Sequence, residues 1–224
     1  MTDRDELTAQ VRELAREAGA SLVGFADVEG LADLPRAVVV AIAHSPAVLS
    51  DPENMPNTAY ADEYNAFNQR LTEMVQSIAI LLGSQGWQAG VNPSTSINID
   101  SEKLSAPFSH KMAATRAGVG WIGKSALLVT PEFGPALRLA SLLTDAPLAV
   151  GEPITESRCG DCMVCVKACP GSAIKGQHWQ AGRQREELFD AHVCYETRTK
   201  AALRNGSQRL RCGVCMSVCP RRPR

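Results

Sequence analysis

The chain has 224 residues, 45% of them hydrophobic and 21% charged, with a formal net charge of −1. This is the composition of an ordinary globular protein of one domain or two small ones, with enough apolar side chain to bury a core. The near-neutral balance gives no global reason to expect nucleic acid or an anionic membrane as partner.

Residues 3–18 place Leu7, Val11, Leu14, Ala15 and Ala18 on one helical face, with Thr2 as N-cap and Gly19 as stop. Residues 21–28 and 37–45 are rich in β-branched and apolar residues and read as strands. Pro46, Pro52 and Pro56 prevent 46–58 from being helical throughout. Apolar residues from Tyr60 to Leu82 recur at three and four, so 59–82 is expected to be a helix ended by Gly83, with Tyr60 and Tyr64 packed in the core. Residues 87–99 read as extended and turn-rich, and 109–116 as a short helix stopping at Gly118. The segment PEFGP at 131–135 lies between two strand-like runs and predicts a β-hairpin. Residues 145–157 carry Pro and Gly without helical period and read as a linker. The expected architecture is a mixed α/β domain over 1–150 and a small cysteine-rich domain over 151–224 that needs a metal staple.

No run approaches the roughly 18 apolar residues of a membrane-spanning helix. The N-terminus is polar and acidic and lacks the basic and apolar regions of a signal peptide. The expected location is therefore the cytoplasm, where thiols stay reduced.

All eight cysteines lie after residue 158. Cys159, Cys162, Cys165 and Cys169-Pro170 form a C-x2-C-x2-C-x3-C-P run, and Cys212, Cys215 and Cys219-Pro220 form a second, with Cys194 upstream. Zinc sites use CxxC pairs, or CxxC with paired histidines, a dozen or more residues apart. The compact run suits a 4Fe-4S cubane, and in two-cluster ferredoxins the fourth cysteine ligates the other cluster. Crossing over in that way assigns Cys159, Cys162, Cys165 and Cys219 to one cluster and Cys169, Cys194, Cys212 and Cys215 to the other. The alternatives are zinc or disulfides, and for Cys194 a buried free thiol. Two adjacent clusters would act as a wire for single electrons.

Residues 110–148 contain Ala117, Gly118, Gly120, Trp121, Ile122, Gly123, Lys124, Leu127, Leu128, Gly134, Leu143, Thr144, Asp145, Pro147 and Leu148. This pattern, followed by eight cysteines in matching order, resembles the epoxyqueuosine reductase family. The resemblance runs over roughly residues 5–220 and is weak before residue 100. It implies a nitroreductase-like N-terminal domain, related to that of reductive dehalogenases, joined to a small ferredoxin-like double-cluster domain. It further implies a base-off cobalamin reduced to Co(I) by the clusters, which makes the chain an oxidoreductase candidate. On that reading Gly118, Gly120 and Gly123 let backbone approach a large flat ligand, beside Trp121, and Lys111 and Lys124 meet its amide side chains or phosphate. The alternative is a tight turn without ligand and a core tryptophan.

Two departures stand out. The family's proton-donating Asp aligns with Leu104 and Ser105, and leucine cannot donate a proton; Asp100 and Glu102 are nearby. The tRNA-acting members continue into helical repeats, whereas this sequence ends soon after Cys219. Reduction of epoxyqueuosine in tRNA is therefore not expected. Eight basic residues from Arg198 to Arg224 suggest docking of an acidic low-potential donor such as ferredoxin or flavodoxin, RNA contact, or a solvated surface offsetting anionic clusters. Three readings compete: a redox protein that passes electrons to a corrinoid or other small-molecule substrate, a ferredoxin-like carrier without corrinoid, and a trimmed tRNA-modifying reductase. The first is favoured.

Overall fold

The computed structural model describes residues 2–93, 100–204 and 211–223. In chain order its elements are α1 (Asp3–Glu17), β1 (Leu22–Asp27), β2 (Arg36–Ala43), α2 (Thr58–Ser84), β3 (Ala89–Asn92), α3 (His110–Arg116), β4 (Trp121–Ile122), β5 (Leu128–Val129), β6 (Leu137–Thr144), α4 (Val164–Ala168), α5 (Arg185–Leu188), α6 (Ala191–Arg204) and α7 (Val214–Ser217). A single turn of 3-10 helix covers Pro46–Leu49. The fold is mixed α/β. Most elements fall where periodicity places them, and α2 runs one residue past Gly83.

Packing divides the chain into two compact units that interleave along the sequence. The first is Met1–Ala43, Ala66–Val119 and Arg138–Ile154; the second is His44–Asn65, Gly120–Leu137 and Thr155–Arg224. A single boundary near residue 150 does not describe this division. Composition marks where cysteines are dense, whereas packing follows which apolar residues the cysteine loops can reach.

The first unit is built on a sheet ordered β1-β2-β6-β3. β1 and β2 are antiparallel with Leu22 opposite Ala41, and β3 and β6 are antiparallel with Ala89 opposite Thr144. The six central residues of β2 are all buried, so its apolar run is continuous rather than alternating. Val38, Val40 and Ile42 join Leu7, Val11 and Ala15 of α1 and Leu71, Met74 and Ile78 of α2 in one core. Each such buried aliphatic side chain contributes about 1.5–3 kcal/mol. Toward α3, a Cβ on Gly24 would stand 2.9 Å from Ala117 Cβ and 2.8 Å from Val119 Cγ1, so glycine lets this layer close on the sheet. At the start of α1, Thr2 Oγ1 accepts from the Asp5 N–H and the Asp5 carboxylate accepts from the Thr2 N–H, a closed capping box.

Two expectations change. The PEFGP turn forms, with Thr130 and Gly134 exchanging backbone hydrogen bonds of 2.9 and 3.0 Å, but no hairpin extends from it. β5 pairs with β4, while β6 enters the four-stranded sheet between β2 and β3. β6 is apolar on both faces and is satisfied only inside a covered sheet. The stretch 145–157 has almost no regular structure, yet it is no free linker. Ala149 N–H donates to Thr8 Oγ1, Gly151 N–H to Phe25 O and Ile154 N–H to Thr115 O, at 2.8–2.9 Å. Within the expected extended segment 87–99, residues 94–99 lie outside those described.

His110 opens α3 and is partly buried. Its Nδ1 lies 2.8 Å from the hydroxyl of Ser141, which is fully buried. Burial, and then the Arg138 and Lys111 charges, push its pKa down to about 4 against an opposing hydrogen bond with the Pro93 backbone. The unfolded imidazole binds its proton near pH 6.5, so between about pH 6.5 and 4 the unfolded chain holds more protons, and stability is lost as the pH is lowered through that range. From pH 7 to pH 5 the wild type is expected to lose about 2 kcal/mol that His110→Gln does not lose. Urea midpoints at the two pH values check this, and parallel losses in both proteins would refute it.

Candidate metal centre

Both cysteine-rich loops use the same local device. Each opens Cys-Gly-x-Cys, and Gly160 and Gly213 take left-handed φ values of 55° and 68°. Nothing lies within 4 Å of where a Gly160 Cβ would stand, so there the conformation alone requires glycine. At Gly213 a Cβ would also meet Tyr60 at 2.9 Å. The short helices α4 and α7 follow and carry Cys165 and Cys215. Each loop then breaks at Cys-Pro, where proline cannot continue the helix, and Cys169 turns extended at ψ 113°.

The structure gathers four of the eight cysteines at one cavity, and the remaining four influence one another electrostatically. Cys159, Cys162, Cys165 and Cys219 line one cavity of about 240 Å³, together with Gly123, Lys124 and Arg221. Burial and then Cys219, Cys159 and Cys162 push the Cys165 thiol up to about 11. Burial raises Cys219 as well, and Cys159 and Cys162 add to it while a hydrogen bond with the Arg221 backbone opposes. In the second set, burial and then Cys212 and Cys169 push Cys194 up to about 11. Cys215, the most enclosed, is raised by burial and then by Cys212, Cys194, Cys165 and Cys169. Cys212 is raised by burial and by Cys169. Cys169 Sγ accepts the Ala173 N–H at 3.3 Å.

All eight cysteines are free thiols, not disulfides. Among the described residues no three His, Cys, Asp or Glu side chains converge on a point suited to a single ion. A cavity of about 240 Å³ is several times the roughly 30 Å³ of a water molecule, and a zinc ion with sulfurs at about 2.3 Å leaves no such space. Four thiols spread around a cavity of this size fit a cubane.

Most of the residues assigned to a corrinoid make close contacts within the chain itself. A Cβ on Gly118, at φ 71°, would stand 2.3 Å from Glu152 O; one on Gly120 would stand 2.5 Å from Val129 O. One on Gly123 would meet Val129 Cγ2 at 2.7 Å and Cys159 Sγ at 3.5 Å. The close approach these glycines permit is to the chain itself and to the cluster cavity. Trp121 is buried, with the Arg221 and Arg158 guanidiniums 5.3 and 5.8 Å from its ring centre. Lys124 is 3% exposed and donates from Nζ to Gly160 O at 2.8 Å, inside the first cysteine loop. Lys111 lies in the first turn of α3, within the first unit. The glycine-rich run is therefore closed by the chain itself and offers no cradle for a corrinoid.

Leu104 occupies the aligned donor position with φ 50°, in a turn closed by Asp100 and Ser105. Asp100 accepts the Glu102 and Lys103 N–H groups, and the Lys103 hydrogen bond holds its carboxyl below the usual range. It is thus kept ionised and is no ready proton source. Much of the basic C-terminus works locally. Lys200 pairs with Glu196 at 3.6 Å, Arg211 lies over Tyr64, and Arg221 donates to Arg158 O. The side chains of Arg204, Arg209 and Arg224 lie outside those described. Sequence spacing missed residues 44–65, which bring Leu49 and Tyr60 into a small core with Ala136 and Met216. His44 Nδ1 meets Glu63 there at 2.7 Å. The only signal was the helical stripe that carries Tyr60.

Residues 158–222 match the model of the 4Fe-4S double cluster binding domain. The chain is similar to epoxyqueuosine reductase of Pseudomonas aeruginosa, 29% identical over 178 residues that cover 77% of this chain and 45% of that one. It is also similar to epoxyqueuosine reductase of Bacillus anthracis, 32% identical over 133 residues, covering 56% and 32%. The chain thus spans less than half the length of these relatives. In fold it resembles a catabolic reductive dehalogenase in complex with 3-bromo-4-hydroxybenzoic acid, at TM-score 0.77 and 20% identity over 100% of this chain and 33% of that one. It also resembles an epoxyqueuosine reductase with a tRNA-Tyr stem loop, at TM-score 0.62 and 19% identity over 96% and 65%. The chain is thus similar to epoxyqueuosine reductases and carries a match to a double-cluster iron–sulfur domain, which supports an iron–sulfur redox function. Among the described residues no helix is long and apolar enough to cross a membrane.

The β4–β5 pair walls the first cavity through Gly123 and Val129. Gly120→Ala, pressed against Val129 O, is expected to cost about 2 kcal/mol and lower the iron bound after reconstitution. Thermal unfolding with iron analysis measures both; an unchanged midpoint would show that the wall yields.

Proposed function

We propose that this chain relays single electrons through two 4Fe-4S clusters, from a low-potential donor such as ferredoxin or flavodoxin to an acceptor bound elsewhere in the protein. The observation that carries the proposal is the cavity lined by Cys159, Cys162, Cys165 and Cys219, a set drawn from both ends of the cysteine region. Cys169, Cys194, Cys212 and Cys215 are assigned to the second cluster because each of Cys194, Cys212 and Cys215 feels others of that set. When bound, the clusters supply one-electron chemistry without making or breaking bonds to substrate. The chain's residues hold and shield them. Gly160 and Gly213 aim the loops, Cys-Pro breaks turn the fourth ligands across, and β4 and β5 cover the first cavity. The proposed setting is the cytoplasm, where the thiols stay reduced.

Anaerobic reconstitution with iron and sulfide analysis and EPR tests this reading. Cys194→Ser is expected to retain about half the iron and one of two cluster signals. Unchanged iron and spectra would remove Cys194 from the ligands, and failure of the wild type to load iron and sulfide would end the proposal.

A corrinoid acceptor is the second reading. It is favoured by likeness to a reductive dehalogenase described as acting by B12-dependent dehalogenation, at TM-score 0.76 over 100% of this chain. Because the glycine-rich run is closed by the chain itself, other residues would have to hold the ring. With cob(II)alamin added, a base-off cobalt EPR signal is the expected result, and a spectrum identical to free cob(II)alamin would remove this reading. The relative solved with a tRNA stem loop also keeps tRNA among the candidate substrates, against the expectation drawn from sequence.

A further inference from the structure

Lys124 is the one lysine of the described residues that is buried, and its surroundings are unusual for an ammonium group. It is 3% exposed, and its Nζ has Gly160 O at 2.8 Å and Met163 Sδ at 3.5 Å as partners. Among the described residues no carboxylate lies within ion-pair distance of it. A cation buried with one carbonyl and a thioether is costly unless an anion stands beside it. The side chain lines the same cavity as Cys159, Cys162, Cys165 and Cys219. Four thiolates around a 4Fe-4S core carry net negative charge, and that charge grows by one on reduction. The cavity thus supplies the anion that the ammonium lacks.

We infer that Lys124 is a positioning and potential-setting residue of the first cluster. It pins the Cys159–Cys162 loop through Gly160 O and favours the reduced state of that cluster over the second one. The inference rests on the two-cluster reading above. The step is the uptake of one electron from a one-electron donor, with no bond formed or broken and no proton moved. The asymmetry between the two sites carries the argument. Around the second set, Arg198 acts on Cys194 and stacks on Tyr195 at 4.7 Å, and Arg211, next to Cys212 in the chain, lies over Tyr64 at 5.2 Å; both are only half-buried. Water screens such a charge, whereas the enclosed Lys124 is screened little. Arg158 and Arg221 add positive charge beside Trp121 on the first site's side. The first cluster is therefore the one that holds the electron when the protein takes up one.

The test uses the full-length protein carrying both clusters. Potentiometric titration followed by EPR is run on wild type, Lys124→Gln and Lys124→Arg, each after iron and sulfide analysis. Cys194→Ser identifies which signal belongs to the first set. Lys124→Gln is expected to lower the reduced-to-oxidised ratio of the first cluster about tenfold at fixed potential, roughly 59 mV for one electron, and to leave the second unchanged. Lys124→Arg is expected to stay near wild type. Loss of the first cluster from Lys124→Gln but not from Lys124→Arg also supports the inference, because the larger arginine disturbs packing at least as much and keeps the charge. Equal potentials in all three proteins would overturn it, and so would loss of the first cluster from both variants, which would mark Lys124 as a packing residue. A wild type that binds no iron and sulfide would instead overturn the two-cluster reading itself.

Discussion

Eight half-buried thiols crowded into the second unit are the constraint on which this structure depends. Burial raises the cost of each thiolate, and neighbouring sulfurs raise it further, as at Cys165, Cys194 and Cys215. Such a group is stable as thiolates only around a positively charged core. The left-handed glycines that follow Cys159 and Cys212, the Cys-Pro breaks and the buried ammonium of Lys124 all serve that arrangement. Each either shapes a cysteine loop or places a positive charge beside the cavity that four of the thiols line.

The cysteine-rich region cannot meet this demand with its own apolar residues. Its helices α4, α5 and α7 are four or five residues long, and α4 buries none of its residues. The unit recruits Leu49 and Tyr60 from one distant segment and Ala136 from another, packed with Met216. The Ser217 hydroxyl donates to Leu49 O at 2.6 Å, which fixes α7 to that segment. A core of this size supplies only a few kcal/mol, so the bound clusters and the borrowed segments share the work of holding the loops.

The first unit rests on ordinary burial. Two helices cover one face of a four-stranded sheet through aliphatic contacts, and Gly24 admits the α3 layer on the other. The glycine-rich run shows how one residue pattern serves two ends. A glycine that admits a flat ligand and a glycine that admits a backbone carbonyl look alike in sequence. Gly118 and Gly120 belong to the second kind, with Glu152 O and Val129 O in the places their side chains would take.

The sequence by itself determined the iron–sulfur chemistry, the boundaries of α1 and α2, and the strands β1 and β2. Those features are written in short-range spacing: three-residue steps between thiols, helical stripes, β-branched runs and capping residues. Tertiary structure alone decided that β6 leaves the PEFGP turn to lie between β2 and β3, and that residues 44–65 pack with the cysteines. It also decided that Lys124 faces the first set of thiols. Strand partners and the neighbours of a buried charge are set by which distant surfaces must be covered together, and no local pattern encodes that choice.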